Sequence, residues 1–205
     1  NYRLESRRYI GCKAKLVDWI FNIIESETED VHSFCDIFAG TGSVSNRAFS
    51  LYDRVVVNDF LFSNNIIYKA FFQDTPWQIA KVLDLLDYYN SINPDTLIDN
   101  YFSINFGDKF FDMKTSRLIG YIRDDLEAKR SILTEKEFAI ILASLIYSID
   151  RLANTLGHYE AYIKKIITPR KLILRMIDVN NFSGAEIFQE DANQLARNIH
   201  VDAVY

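Results

Sequence analysis

Apolar residues along this chain change their spacing twice. Leu16, Trp19, Ile20, Ile23 and Ile24 recur every three or four positions, which predicts an amphipathic helix over 13–25. From 32 to 38 a short apolar run leads into Ala39-Gly40-Thr41-Gly42, the pattern of a buried strand entering a glycine turn. A helix is expected over 44–51, and a strand over 54–58 around the β-branched Val55-Val56-Val57. Helical spacing returns over 60–72. Strand, helix, strand, helix in such quick succession is a βαβ unit with a parallel sheet.

From Pro76 to about Lys165 the spacing is nearly all helical, over 77–89, 115–128 and 134–154. The last begins with Thr134 followed three residues later by Glu137, the spacing of a capping box. Breaks are expected at Asn93-Pro94-Asp95 and Asn105-Phe106-Gly107-Asp108. This block reads as a helical insertion in an α/β domain. Strands are then expected over 171–177 and 185–188, a short helix over 191–198 and a last strand over 200–205. The chain stops inside that strand, with no turn or polar tail, so it reads as truncated.

At 205 residues the chain has the length of one domain, or of one carrying a large insertion. Its net charge of −5 argues mildly against a DNA-binding surface, while leaving room for a local basic face. Cys12 and Cys35 lack metal-ligand spacing, and His32, His158 and His200 lie far apart, so no metal is expected. Two cysteines make no disulfide framework, no apolar stretch reaches membrane-spanning length, and no signal-peptide core follows the N-terminal residues. A cytoplasmic protein without membrane contact is the expectation.

The chemistry centres on Asp36-Ile37-Phe38-Ala39-Gly40-Thr41-Gly42, between a predicted strand and a predicted helix. Glycines there let backbone approach a ligand, and a helix N-terminus offers free N–H groups. A GxG in this place serves a dinucleotide, S-adenosylmethionine or only a tight turn. No Gly-Lys-Ser/Thr follows, which excludes a phosphate loop, and the third glycine of a dinucleotide fingerprint is absent. Asn58-Asp59 closes the second strand, and an acidic residue at that tip is where nucleoside-binding α/β folds hold ribose hydroxyls. The alternative for Asp59 is a helix cap.

Read together, four segments resemble the Dam-like (D12) class of adenine-specific DNA methyltransferases. Arg8-Tyr9-Ile10-Gly11-Cys12-Lys13 resembles the N-terminal motif of that class, with Cys12 where many members have Gly or Ser. Phe38-Ala39-Gly40-Thr41-Gly42 resembles its cofactor loop, Asn58-Asp59 its ribose-binding motif, and Glu190-Asp191-Ala192 the segment at the cofactor's adenine. Val201-Asp202-Ala203-Val204-Tyr205 resembles the strand that precedes Asp-Pro-Pro-Tyr in the class.

The resemblance implies a Rossmann-like, S-adenosylmethionine-dependent methyltransferase sheet with a large helical insertion. Residues 1–75 and 171–205 would form the cofactor-binding domain, and 76–170 a DNA-recognition region. Lys13 would pair with the methionyl carboxylate, Tyr9 would pack against the cofactor, and Asp36 would lie near the ammonium. The backbone at Phe38, Gly40 and Gly42 would pass beneath the methionyl part. Asp59 would take the ribose hydroxyls, and Asp191 with Ala192 the adenine. Asn154, His158 and Tyr159 occupy a loop similar to one found in a subset of the class. Lys164, Lys165, Arg170, Lys171 and Arg175 form the densest basic stretch, the expected contact with DNA phosphates.

The implied partners are double-stranded DNA and a cognate restriction endonuclease. The implied chemistry is methyl transfer to the amine of a flipped adenine, with the catalytic motif expected beyond Tyr205 and the 205 residues inactive alone. The competing readings are a non-catalytic half of a split methyltransferase, a nicotinamide-dependent oxidoreductase and a helical nucleic-acid-binding module. The missing third glycine opposes the second, and the glycine-turn βαβ unit opposes the third.

Overall fold

A computed structural model describes residues 1–7, 13–155, 159, 161–164, 167–180 and 182–205. In chain order its elements are α1 (Val17–Glu27), β1 (Ser33–Asp36), α2 (Ser43–Ala48), β2 (Arg54–Asn58), α3 (Phe62–Phe72), α4 (Ile79–Ser91), α5 (Tyr101–Phe106), α6 (Met113–Ala128), α7 (Glu135–Leu152), β3 (Ala185–Phe188), α8 (Ala192–Asn198) and β4 (Ala203–Val204). They fall into two compact units. One holds the sheet and comprises Arg3–Glu5, residues 13–75 and Asp178–Tyr205. The other comprises Asn1–Tyr2, residues 6–7 and Pro76–Ile177.

The sheet has the order β3-β2-β1-β4, and every pairing is parallel. β1 and β2 occupy its middle, and Phe34, Cys35, Val55, Val56 and Val57 are buried. Strands covered on both faces need this continuous apolar run rather than an alternating one. Helix α8 packs Leu195 against Cys35, Ile37 and Val56, with Phe188, Ala192, Ile199 and Val201 around them. Tyr52 stacks on Phe34 and Phe21 lies tilted against it, with ring centroids 5.2 and 5.7 Å away. Two carboxylates tie strands together. Glu186 of β3 accepts from the Arg54 guanidinium of β2. Asp202 takes the His32 and Ser33 N–H groups and the Ser33 hydroxyl at the start of β1.

The second unit is helical. Thr134 and Glu137 form the expected capping box at the start of α7. Glu137, buried in spite of its charge, also accepts from the Gln78 N–H and the Lys81 ammonium. Burial opposes its ionisation, but these hydrogen bonds outweigh it and hold the carboxyl below the usual carboxylate range.

One predicted strand is corrected here. Residues 171–177 are extended, with Leu172 and Leu174 buried and Lys171, Ile173 and Arg175 exposed, so the alternation that suggested a strand is real. Apart from one isolated bridge, in which the Tyr2 N–H donates to the Met176 carbonyl at 2.7 Å, the backbone partners are side chains rather than a strand. Asn90 of α4 pairs with both backbone groups of Leu174, and Ser144 of α7 pairs with both of Arg175. α5, in contrast, had no counterpart among the predicted elements. Its YFSINF has no helical apolar period, and the Asn100–Ser103 capping box starts it.

Gly120 sits inside α6, where alanine is ordinarily better by about 1 kcal/mol. A Cβ at Gly120, however, would enter the space of the Asn100 amide. That amide caps α5 through the Ser103 N–H at 3.0 Å and donates to the Arg117 carbonyl at 2.9 Å. Gly120→Ala should therefore reverse the usual sign and destabilise by about 1–2 kcal/mol, the worth of a displaced cap. Chemical denaturation measures it, and a higher midpoint than wild type would contradict the packing argument.

Candidate functional site

Successive strands run from β1 through β2 to β3 on one side of the sheet, and the chain then crosses to place β4 on the other side of β1. The order reverses between β1 and β4, and open parallel sheets bind ligands beyond the carboxyl ends of such a strand pair. A pocket of about 40 Å³ lies there, lined by Lys13, Asp36, Phe38, Gly40, Ser43 and Tyr205 among others. Tyr205 reaches this position because its N–H donates to the Cys35 carbonyl at 2.8 Å, continuing the β4 pairing.

Asp36 ends β1 and is only 1% exposed. Its Oδ2 accepts the Ser45 N–H at 3.1 Å and the Ser45 hydroxyl at 2.7 Å. Its Oδ1, also buried, has no hydrogen-bond partner among the described residues. Burial lifts the carboxyl from the usual 3.8 to about 6, against the opposing pull of the Ser45 bonds and the Lys13 charge. A buried carboxylate oxygen without a donor is unfavourable by itself and marks a place that a cation from outside would satisfy.

The neighbouring turn depends on glycine. Gly40 and Gly42 have φ of +54° and +76°, a region that side chains disfavour. A Cβ on Gly42 would also stand 3.3 Å from the rings of Phe72 and Tyr68. The turn is pinned from several directions. The Tyr68 hydroxyl donates to the Gly40 carbonyl at 2.6 Å, the Gly40 N–H donates to Asp59 Oδ2 at 3.0 Å, and the Ala39 N–H donates to the Asn58 carbonyl at 2.9 Å.

Asp59 is half-buried, and its Oδ1 accepts the Leu61 N–H at 2.9 Å. Leu61 holds the N-cap position of α3 without a side-chain cap, so Asp59 braces the glycine turn rather than capping the helix. Asp191 does cap. Its Oδ1 accepts the N–H groups of Asn193 and Gln194 at 2.9 and 3.2 Å and so starts α8. Ala192 packs on the sheet cluster under α8.

Lys13, Asp36, Phe38 and Gly40 thus line one pocket, Gly42 and Asp59 shape the turn that walls it, and Asp191 and Ala192 stand at the loop after β3. Tyr9, His158 and Lys165 lie outside the described residues.

The other residues expected at DNA belong to the helical unit. Asn154 is buried, and its amide donates to the carbonyls of Lys109 and Ile163 at 3.1 and 2.7 Å, so it shapes the loop from within. Tyr159 donates to Asp150 at 3.0 Å. Lys164 is exposed, and Arg170 donates to the Leu152 carbonyl at 3.0 Å.

Sequence reasoning missed Asn58, which is 1% exposed. Its amide donates to the Ile37 carbonyl at 3.0 Å and the Glu190 carbonyl at 3.1 Å, while its oxygen accepts the Glu190 N–H at 2.9 Å. One side chain therefore joins the ends of β1, β2 and the loop after β3. Tyr68 and Tyr205 were missed as well, since no local pattern reveals a contact made across the fold. Among the described residues no group of His, Cys, Asp and Glu side chains could hold a metal ion, and no helix is long and apolar enough to cross a membrane.

Comparison with known proteins covers the whole of this arrangement. A family model described as D12 class N6 adenine-specific DNA methyltransferase matches residues 9–205. The type II methyltransferase M.NlaIII of Neisseria lactamica is 28% identical, over 96% of this chain and 62% of its own length. The type II methyltransferase M.CviAII of Paramecium bursaria Chlorella virus 1 is 29% identical, with the same 96% and 62%. The type II methyltransferase M.FokI of Planomicrobium okeanokoites is 31% identical, over 97% of this chain and 33% of its own. The chain therefore spans less than two thirds of the length of these relatives.

Proposed function

Because the chain belongs to the D12 class of N6 adenine-specific DNA methyltransferases, we propose that its sheet unit binds S-adenosylmethionine for methyl transfer to an adenine flipped out of duplex DNA. The observation that carries the reading is the buried, unpartnered Oδ1 of Asp36 at the switch point of the sheet. Gly40 of the neighbouring turn lines the same pocket.

In this reading Asp36 receives the methionyl ammonium and Lys13 pairs with the carboxylate. Gly40 offers bare backbone where the methionyl part passes, beside Phe38 and with Tyr9 against the cofactor, and Gly42 lets the turn pack on Phe72 and Tyr68 behind it. Asp59, already fixed by Gly40 and Leu61, has lone pairs left for ribose hydroxyls. Asp191 accepts from the adenine amine, next to Ala192. The bound cofactor supplies a methyl group activated by its sulfonium charge. The chain's residues hold and orient it.

The domain boundary expected at 171 moves to 178, because 171–177 pack with the helical unit. In this proposal the sheet unit binds the cofactor and the helical unit is the recognition region, with Tyr159, Lys164, Lys165 and Arg170 toward duplex DNA. Asn154 and His158 are assigned to the same region in this proposal, Asn154 as an internal brace. The type II relatives motivate a restriction–modification setting with an endonuclease as partner, and a DNA substrate a cytoplasmic one. Asp-Pro-Pro-Tyr is not among the 205 residues, so these residues are expected to bind cofactor without transferring its methyl group at a useful rate.

Thermal denaturation tests the binding. S-adenosylhomocysteine at about one hundred times its Kd should stabilise by about 2.7 kcal/mol, and a nicotinamide dinucleotide should not. Stabilisation by the dinucleotide alone would replace this reading with that of an oxidoreductase. Transfer of labelled methyl groups to duplex DNA by the chain would remove only the expectation of inactivity.

A further inference from the structure

The helical unit contains a pocket of about 370 Å³ whose lining includes Arg151, Arg170, Lys171, Arg175, Tyr2 and Ser148. Among the described residues four cations and no carboxylate line the pocket, in a chain of net charge −5. None of the four forms an ion pair among the described residues. Two elements produce the convergence. Arg151 lies in the last turn of α7, with its guanidinium 5.6 Å from the Tyr2 ring centre. Lys171 and Arg175 stand on the exposed side of the extended segment, whose alternation sends Leu172 and Leu174 into the core. The hydrogen bonds of Asn90 and Ser144 to that segment hold its register, and with it the spacing of the cations.

We infer that this pocket holds backbone phosphates of duplex DNA, an inference that rests on the methyltransferase reading above. Unpaired like charges gathered at one place repel one another, and an oxyanion relieves that repulsion. The four cationic side chains are exposed rather than enclosed. An open basic surface suits a long polyanion running across it, and an acidic protein needs such a surface to offset its own repulsion of DNA. Arg170 is partly committed to the Leu152 carbonyl, which leaves Arg151, Lys171 and Arg175 as the main phosphate ligands. Contacts of this kind fix position on the duplex without reading bases.

The test is the Arg151→Gln/Arg175→Gln double variant, whose changed side chains are exposed and whose melting temperature should match wild type. Binding of a short labelled duplex is followed across a salt series, with S-adenosylhomocysteine binding measured in parallel. The expected result is a loss of about tenfold or more in duplex affinity, equal for unrelated sequences. The slope of log K against log salt should become shallower by about 0.9 for each phosphate contact removed. Cofactor affinity should not change.

Wild-type duplex affinity and slope in the double variant would overturn the inference and leave the methyltransferase reading standing. A wild-type protein that binds no duplex at low salt would overturn both. A third arm adds inorganic phosphate. If phosphate raises the melting temperature of wild type but not of the variant while the two bind duplex alike, the pocket serves a small anion and the DNA assignment is wrong.

Discussion

Asp36→Asn is expected to weaken S-adenosylhomocysteine binding by about 10- to 100-fold at pH 8, the worth of a hydrogen bond to a charged group, while raising the stability of the ligand-free protein. The two effects share one cause. Asp36 is almost fully buried, and its Oδ1 is unpartnered, so an ionised carboxylate there is unfavourable until a cation arrives. Because burial raises the folded-state value from 3.8 to about 6, the group's contribution to stability is present below pH 3.8 and lost as pH rises through 6. At pH 8 the folded protein carries a handicap of about 3 kcal/mol, from 1.36 kcal/mol per unit. Asparagine removes the charge and keeps an acceptor for Ser45. A gain of several degrees in melting temperature at pH 8, shrinking toward pH 4.5, is the expected profile.

Ligand affinity should run the other way. An ammonium binds the carboxylate and not the carboxylic acid, so wild-type affinity should fall as pH drops below about 6, and the Asn variant should be flat over the same range. Calorimetric titration at pH 5, 6, 7 and 8 measures both. A wild-type profile as flat as the variant's would remove Asp36 from the binding site. A buried charge that lowers stability for the sake of a ligand is a familiar exchange of stability for function.

The sequence made the sheet legible wherever the governing interactions were local or periodic. Val55-Val56-Val57 announced a strand covered on both faces, the 185–188 strand was found with its structural bounds, and Gly40 and Gly42 marked the turn. Reading failed where one remote partner decided the outcome. Residues 171–177 alternate like a strand, yet Leu174 and Arg175 at their middle pair with the side chains of Asn90 and Ser144, a substitution no pattern within the segment reveals. Asn154 looked like a loop residue available to a substrate, but its amide turns inward to Lys109 and Ile163, far off in sequence or across its own loop. The candidate site divides similarly. Asp36 could be named from its place after a strand, but the empty valence at Oδ1 depends on what Ser45, nine residues away, does and does not reach.

Asn58 carries that lesson to the residue on which the site most depends. Asn58→Ala would leave the Ile37 and Glu190 carbonyls and the Glu190 N–H without their partner, the first of them buried and the two on Glu190 nearer solvent. At about 1–3 kcal/mol for the buried carbonyl left unpaired, and less for the two groups that water can reach, the expected loss is about 2–3 kcal/mol. Cofactor binding should fall with it, since the ends of β1 and β2 and the loop carrying Asp191 lose their common tie. Asn58→Asp should be no better, because it keeps the acceptor for the Glu190 N–H but turns a second carboxylate oxygen toward two carbonyls. The pair also separates positioning from contact. Asp36→Asn should lose ligand while gaining stability, whereas both Asn58 variants should lose the two together. Denaturation and calorimetry on the three proteins decide the matter. An Asn58→Ala protein with wild-type stability and affinity would mean that the strand ends hold their places without it, and that the glycine turn alone organises the site.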